Sequence, residues 1–414
     1  MSGSAGQIEK LKCILDISRR LAATTDLDEL LSMIIDAARQ VLDCERATIF
    51  LYDPDRHELF SRVATGAESI RFPADRGIAG AAATGRTVVN VPDAYADQRF
   101  NPQIDHETGF RTRNLLTLPL ENLDGDLMGV LQTLNKPAGP FDQTDEDLAC
   151  VLGAQAGVAL HRWRLLEEFA AKQRMARDLE LARTIQQAQF PEEAPAVPGY
   201  EIAGWNRPAD ETGGDCYDFV PLPDGRLAIF LADATGHGIA AALIIAQCRA
   251  LLRAMLSVTT DLPTVVSAVN RLLTDNLTAE RFVTAFFGIL DPARHRLEYI
   301  AAGQGPLLFI SPHDLRILPA STFPLAICDA LDCQPAAFEF APASTLLLLT
   351  DGFYEAASPA GELCGEQRIG DFARANRDLP PARLIDELRD LVDAFVAAGP
   401  QRDDLTAVIV RRLT

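Results

Sequence analysis

No apolar run in the 414-residue chain approaches the roughly 20 residues that a membrane-spanning helix needs. Residues 1–10 are too polar for a signal peptide. Neither membrane insertion nor export is expected. Excess positive charge is also missing: 38 Lys and Arg stand against 58 Asp and Glu, a net charge of −20. Nucleic-acid binding normally shows as a basic footprint, so a phosphate-backbone partner is not expected either. The eight cysteines are scattered singly, with Cys328 and Cys333 the closest pair and no Cys-x-x-Cys, a usage that fits reduced thiols in a cytosol. Glycine and proline are absent from residues 7–42 and again from 158–190, which marks both stretches as helical.

The chemistry is concentrated in residues 212–243. Gly213-Gly214-Asp215-Cys216-Tyr217-Asp218-Phe219 sets a carboxylate at the head of one apolar run, and Leu227-Ala228-Ile229-Phe230-Leu231-Ala232-Asp233 closes another on a second. Between them lies Pro223-Asp224-Gly225-Arg226, whose Asp-Gly pair is a hairpin turn signal. The hairpin would bring Asp215 and Asp233 together. A lone carboxylate at a strand end is ordinarily a turn former or a helix cap. Here the pattern recurs in Leu346-Leu347-Leu348-Leu349-Thr350-Asp351-Gly352, and Arg402-Asp403-Asp404-Leu405-Thr406 precedes the final apolar run. Strand ends tipped with Asp form an anionic, all-oxygen cluster that is costly without a cation. Hard divalent ions answer that need, so Mn²⁺ or Mg²⁺ is expected rather than Zn²⁺.

Taken in order, Gly-Gly-Asp-x-Tyr-Asp, Asp-x-x-Gly-His-Gly, Phe-x-Thr-x-Phe-x-Gly (282–288), Thr-Asp-Gly-Phe-Tyr-Glu-Ala (350–356) and Asp-Asp-x-Thr resemble the bacterial SpoIIE-like branch of the metal-dependent (PPM) protein serine/threonine phosphatases. The resemblance extends over residues 196–414 and implies an α-β-β-α sandwich with two metals at one end. By the same resemblance Asp233 bridges the metals, the Ala234 carbonyl completes the second site, and Asp215 acts there mainly through coordinated water. Asp351 and Asp403 hold the first metal. Asp404 supports the site, or exchanges roles with Asp403. His237, between glycines at a strand-to-helix turn, either donates a proton to the leaving seryl oxygen or stabilises the turn. Two departures from the branch's pattern, Gln304 where His is common and Thr212 where an apolar residue is usual, bear on substrate fit or regulation.

The N-terminal half reads as helix, antiparallel sheet, helix. Ile8, Leu11, Leu15, Ile17 and Leu21, then Leu27, Leu30, Leu31, Ile34, Ile35 and Ala38, recur at helical spacing, with a break at Thr24-Thr25-Asp26. Strand-like runs follow at 46–52, 58–64, 114–120 and 127–135, with a short helix opening at Gly77. Residues 7–165 resemble a GAF sensor domain, closest to the cyclic-nucleotide-binding type of phosphodiesterases and adenylyl cyclases. The motifs that carry it are Val91-Pro92-Asp93-Ala94-Tyr95, Thr108-Gly109-Phe110-Arg111-Thr112-Arg113-Asn114 and the dispersed Asn135-Lys136, Phe141, Asp145-Glu146. The resemblance puts pocket contacts for cAMP or cGMP at Ile78 and Ala79 (backbone donors), Asp105, Thr108, Thr112 and Gln132. Asn101 stands where a pocket aromatic is frequent, and Gln132 where Glu is. The Asn-Lys, Phe and Asp-Glu set can equally be an internal salt bridge and packing device.

Residues 166–195 form the connector, and a helix of about 30 residues would reach roughly 45 Å, too long and charged to stand alone. Its apolar stripe of Leu165, Phe169, Ala176 and Leu179, interrupted by Lys172, suggests a parallel coiled coil and hence a homodimer. The fold class expected is α+β. The function expected is a cytoplasmic, metal-dependent protein phosphatase regulated by a small-molecule effector, its partner a phosphorylated anti-anti-sigma (STAS) protein by resemblance. The alternative is a catalytically silent sensor that binds a partner; retention of every carboxylate argues against it.

Overall fold

The computed structural model describes residues 2–61, 70–278, 280–397, 399 and 401–413, with side chains of the first helix described from Cys13 onward. Two compact units divide at residues 174 and 175.

The first unit opens with α1 (Ser2–Ala23) and α2 (Leu27–Leu42). The break between them is a cap: the Asp26 carboxylate accepts the Glu29 N–H at 2.9 Å, satisfying one of the orphan donors of a helix start. Leu27, Leu30, Leu31, Ile34, Ala38 and Val41 are buried, as their spacing predicts. The chain continues through β1 (Arg46–Asp53), β2 (Glu58–Phe60), β3 (Arg71–Pro73), α3 (Gly77–Gly85), β4 (Val89–Val91) and α4 (Pro102–Thr108). It closes with β5 (Leu115–Glu121), β6 (Leu127–Leu134) and α5 (Gln143–Gln187). The six strands form one antiparallel sheet in the order β3-β2-β1-β6-β5-β4. The end of the 58–64 run lies outside the described residues. α5 begins well before the glycine-free stretch because Gly153 and Gly157 do not break it. A Cβ at 157 would collide with the Glu121 backbone and one at 153 with Leu118, so the glycines let the helix lie flush on β5.

The second unit comprises β7 (Tyr200–Arg207), β8 (Asp215–Pro221), β9 (Leu227–Ala234), α6 (Ile239–Leu256), α7 (Leu262–Thr274), β10 (Val283–Asp291) and β11 (Arg296–Ala302). Then come β12 (Leu307–Ile310), β13 (Leu315–Leu318), β14 (Ala336–Glu339), β15 (Thr345–Leu349), α8 (Asp351–Tyr354), α9 (Glu366–Ala375), α10 (Pro381–Val396) and β16 (Leu405–Arg412). They build two five-stranded sheets, β14-β11-β10-β9-β8 and β13-β12-β15-β16-β7. Between the sheets Tyr217, Leu231, Phe286, Phe309, Leu346 and Val408 share one core. α6 and α7 cover the outer face of the first sheet, and α9 and α10 that of the second. Both faces of β15 are therefore buried, which is why Leu346 to Leu349 read as an unbroken apolar run rather than an alternating one.

α6 is the one helix among the described residues long and apolar enough to cross a membrane by composition. Its Ala241, Ile244, Ile245, Cys248 and Leu252 are instead packed on the first sheet. No disulfide joins the cysteines among the described residues.

Candidate active site

The two carboxylates of the hairpin face each other. β8 and β9 pair in a register that sets Asp215 opposite Asp233, and the Leu222–Arg226 turn between them carries Gly225 at φ +85. Along β8, Tyr217 and Phe219 point between the sheets, whereas Cys216 points outward. Period-two alternation therefore puts Asp215 on the inner face and Asp218 on the outer one. Asp218 leaves the cluster: fully buried, it is paired with Arg249 at 2.9 Å and Arg253 at 2.5 Å, both on α6. The second carboxylate of Gly-Gly-Asp-x-Tyr-Asp thus anchors the helix to the sheet.

The second sheet brings its own acids to the same end. Thr350 precedes α8, whose first residue is Asp351, without capping it through its side chain, and its N–H donates to the Thr406 carbonyl at 3.0 Å where β15 and β16 run out of register pairs. The Asp215 carboxylate reaches across and accepts the Thr350 hydroxyl at 2.8 Å and the Thr406 hydroxyl at 2.6 Å. Thr406 in turn accepts from Asn206 of β7 at 2.7 Å. The roles of these two threonines and Asn206 escaped sequence reasoning, although Thr350 stands beside Asp351 and Thr406 two residues after Asp404 in the motifs.

Asp403 and Asp404 have different work. Asp404, 4% exposed, accepts the N–H groups of Ala209 at 2.7 Å, Gly214 at 2.5 Å and Asp215 at 3.3 Å. Side chains at 213 or 352 would collide with Asp404, so both glycines are steric requirements of this knot. Asp403 is exposed and faces Asp233 and Asp351 closely enough to perturb both. Gln304 does not face outward: it accepts from Thr284, the residue opposite Asp233, and donates to the Leu349 carbonyl at 3.0 Å, tying one sheet to the other. His237 pairs through Nδ1 with Asp210 at 2.8 Å, and both are exposed. Gln186, in the last turn of α5, donates to the Gly213 carbonyl at 2.6 Å and accepts its N–H at 3.0 Å.

Electrostatics mark the cluster as short of positive charge. Burial, then Asp351, Asp403 and Asp404, push Asp233 up to about 8. Burial and then Asp403 and Glu355 push Asp351 up to about 6, and burial followed by Asp233 and Asp404 raises Asp215. Among the described residues no three side chains enclose a point as tightly as a chelate requires, and Asp215 is turned to two hydroxyls. The donor set still fits hard divalent cations. It is all oxygen, it runs from buried Asp215 through half-buried Asp233 to exposed Asp351 and Asp403, and the main influences on Asp233 and Asp351 are desolvation and other carboxylates.

Comparison with known proteins follows the same division. The family described as Stage II sporulation protein E (SpoIIE) matches residues 223–413, and the GAF domain family matches residues 26–160. The chain joins a GAF domain to a SpoIIE-type phosphatase domain. The solved SiaA-PP2C domain of Pseudomonas aeruginosa is 23% identical with a TM-score of 0.53, covering 59% of this chain and 98% of that one, which shows the shared fold. Protein IcfG of Synechocystis sp. is 28% identical over 57% of this chain and 41% of its own length. A probable 3',5'-cyclic phosphodiesterase of Caenorhabditis elegans, pde-5, is 29% identical over 37% of this chain and 23% of its own. The chain spans less than half the length of these curated relatives.

In the GAF domain the sequence-predicted pocket residues divide. Ile78 and Ala79 lie in the first turn of α3, where Arg76 supplies no side-chain cap; their side chains are buried in separate apolar clusters. Asp105 accepts the Thr112 N–H at 2.6 Å, the Thr112 hydroxyl at 2.8 Å and the Tyr95 hydroxyl at 3.0 Å, binding α4 to the strand entry. Gln132 donates to Thr117 at 3.1 Å, and Asn101 caps α4 by accepting the Gln103 N–H. The side chain of Thr108 lies outside the described residues. The Asn-Lys, Phe and Asp-Glu set is internal: Lys136 pairs with buried Asp145, Asn135 holds the Arg113 N–H, Phe141 is buried, and Glu146 accepts from Asn90.

Proposed function

We propose that the phosphatase domain hydrolyses phosphoserine or phosphothreonine in a protein partner, using two Mn²⁺ or Mg²⁺ ions. The observation that carries this is the meeting of Asp215 and Asp233 in register with Asp351 and Asp403 arriving from the other sheet. Asp233, the Ala234 carbonyl, Asp351 and Asp403 would hold the ions, with Asp215 acting from behind. Ions bound there polarise phosphoryl oxygens and make a water nucleophilic near neutral pH, so no protein nucleophile is needed. Thr350 and Thr406 fix the Asp215 carboxylate, and Asp404 fixes the backbone that carries it. His237, whose Nδ1 meets Asp210, would give a proton to the leaving oxygen. The family resemblance supports a partner of the phosphorylated anti-anti-sigma (STAS) type. Purified full-length protein should release phosphate from such a phosphoprotein with Mn²⁺ and not with EDTA; equal rates in both would refute metal dependence.

The GAF domain, on this reading, supplies regulation. Its likeness to cyclic-nucleotide phosphodiesterases supports cAMP or cGMP as effector, at the backbone donors of Ile78 and Ala79 in the first turn of α3. Two features of α5 support transmission through that helix in a dimer. Leu165, Phe169, Met175, Leu181 and Ile185 are exposed along it, and Gln186 grips the backbone two residues before Asp215. A ligand that binds the folded state stabilises it by mass action. Millimolar cAMP or cGMP should therefore raise the melting temperature of the full chain's first transition, and absence of a shift with both would point to another effector.

A further inference from the structure

The turn that leaves Asp233 carries a guanidinium with no carboxylate partner among the described residues. β10 pairs with β9 so that Thr284 lies opposite Asp233 and Val283 opposite Ala234. Phe282 and Arg281 therefore continue beside Thr235 and Gly236. Thr235 N–H donates to the Phe282 carbonyl at 3.1 Å, and Phe282 N–H donates to the Thr235 hydroxyl at 3.2 Å. Arg281 folds back over this turn: its Nη1 donates to the Thr235 carbonyl at 2.7 Å, and a Cβ on Gly236 would stand 2.6 Å from the same nitrogen. Gly236, at φ +88, lacks a side chain for two reasons, its backbone and the guanidinium lying against it.

Some arginines of this acidic domain find carboxylates, Arg207 with Asp393, Arg226 with Asp224 and Arg253 with Asp218, whereas Arg377, Arg411 and Arg412, like Arg281, donate to backbone carbonyls away from the carboxylate cluster. Arg281 is half-buried and tied to a neutral carbonyl, which uses one of its N–H donors. It sits three residues along the strand from Thr284, the residue that lies opposite Asp233. A fork of N–H donors at that edge matches phosphoryl oxygens. We propose that Arg281 is a phosphate-binding residue: held by the Thr235 carbonyl, it receives the phosphoryl oxygens of the substrate and offsets the repulsion that the carboxylates impose on a dianion. The inference rests on the phosphatase reading and adds the group that recognises the substrate's charge.

The test compares wild type, Arg281→Gln and Arg281→Lys as full chains in Mn²⁺. The KM for an aryl phosphate and the Ki of inorganic phosphate should both rise about tenfold to a hundredfold in Arg281→Gln, the scale of a lost charge-assisted contact. Arg281→Lys should show a smaller rise, and the Mn²⁺ concentration for half-maximal rate should be unchanged in both. Inorganic phosphate should raise the melting temperature of wild type but not of Arg281→Gln. Should the Gln variant fail to fold, the Lys variant carries the same comparison. Unchanged KM and phosphate Ki would overturn the proposal. So would a loss confined to kcat with a raised Mn²⁺ requirement, which assigns Arg281 to holding the turn. If wild type hydrolyses nothing, the phosphatase reading fails, while the phosphate-induced shift still decides whether Arg281 binds phosphate.

Discussion

Asp233→Asn should lower Mn²⁺-dependent hydrolysis of a phosphoprotein or an aryl phosphate by at least about a hundredfold, the scale of losing a major electrostatic element of catalysis. The change keeps shape and removes charge at the carboxylate that faces the most others: Asp351, Asp403 and Asp404 all act on it, and Asp215 stands opposite in register. Because desolvation and the neighbouring carboxylates disfavour the charged form of Asp233, a neutral amide there costs the metal-free protein little. The variant should accordingly fold about as well as wild type while binding Mn²⁺ more weakly. Melting temperatures with and without Mn²⁺, set beside phosphate-release rates, check both halves. Turnover near the wild-type rate would sink the assignment of Asp233.

Asp403→Ala and Asp404→Ala should fail in opposite ways. Asp404→Ala strips the acceptor from the N–H groups of Ala209, Gly214 and Asp215, and an orphaned buried donor costs about 1–3 kcal/mol. A destabilisation of about 3 kcal/mol or more is expected, with activity lost through displacement of Asp215. Asp403→Ala removes an exposed side chain whose bond is to its neighbour's N–H, so stability should move by only about 0.5 kcal/mol while the Mn²⁺ requirement rises. Denaturant unfolding and Mn²⁺ titrations of the two variants separate the roles. If Asp404→Ala unfolds like wild type and Asp403→Ala keeps its full metal response, the roles are reversed.

The sequence by itself determined the local pieces. Asp26 as a cap, the Asp-Gly turn between β8 and β9, and an apolar run closing on Asp233 are all written within a few residues, because capping, turn geometry and alternation are local rules. Alternation could even have sent Asp218 to the outer face, since it lies three residues from Asp215. What local rules do not contain is who waits on each face. Only the tertiary structure decided that Asp218 meets Arg249 and Arg253, that Gln304 is a tether between sheets, and that Asp105 is consumed by Thr112 and Tyr95. It likewise separated Asp403 from Asp404, adjacent residues that read alike in the chain. The partners of Asp404 at Gly214 and Asp215 lie 190 and 189 residues away, so its hydrogen bonds exist only once two sheets have packed. A carboxylate's role follows from the donors and charges folded around it, and those are set by packing across the sandwich rather than by its neighbours in sequence.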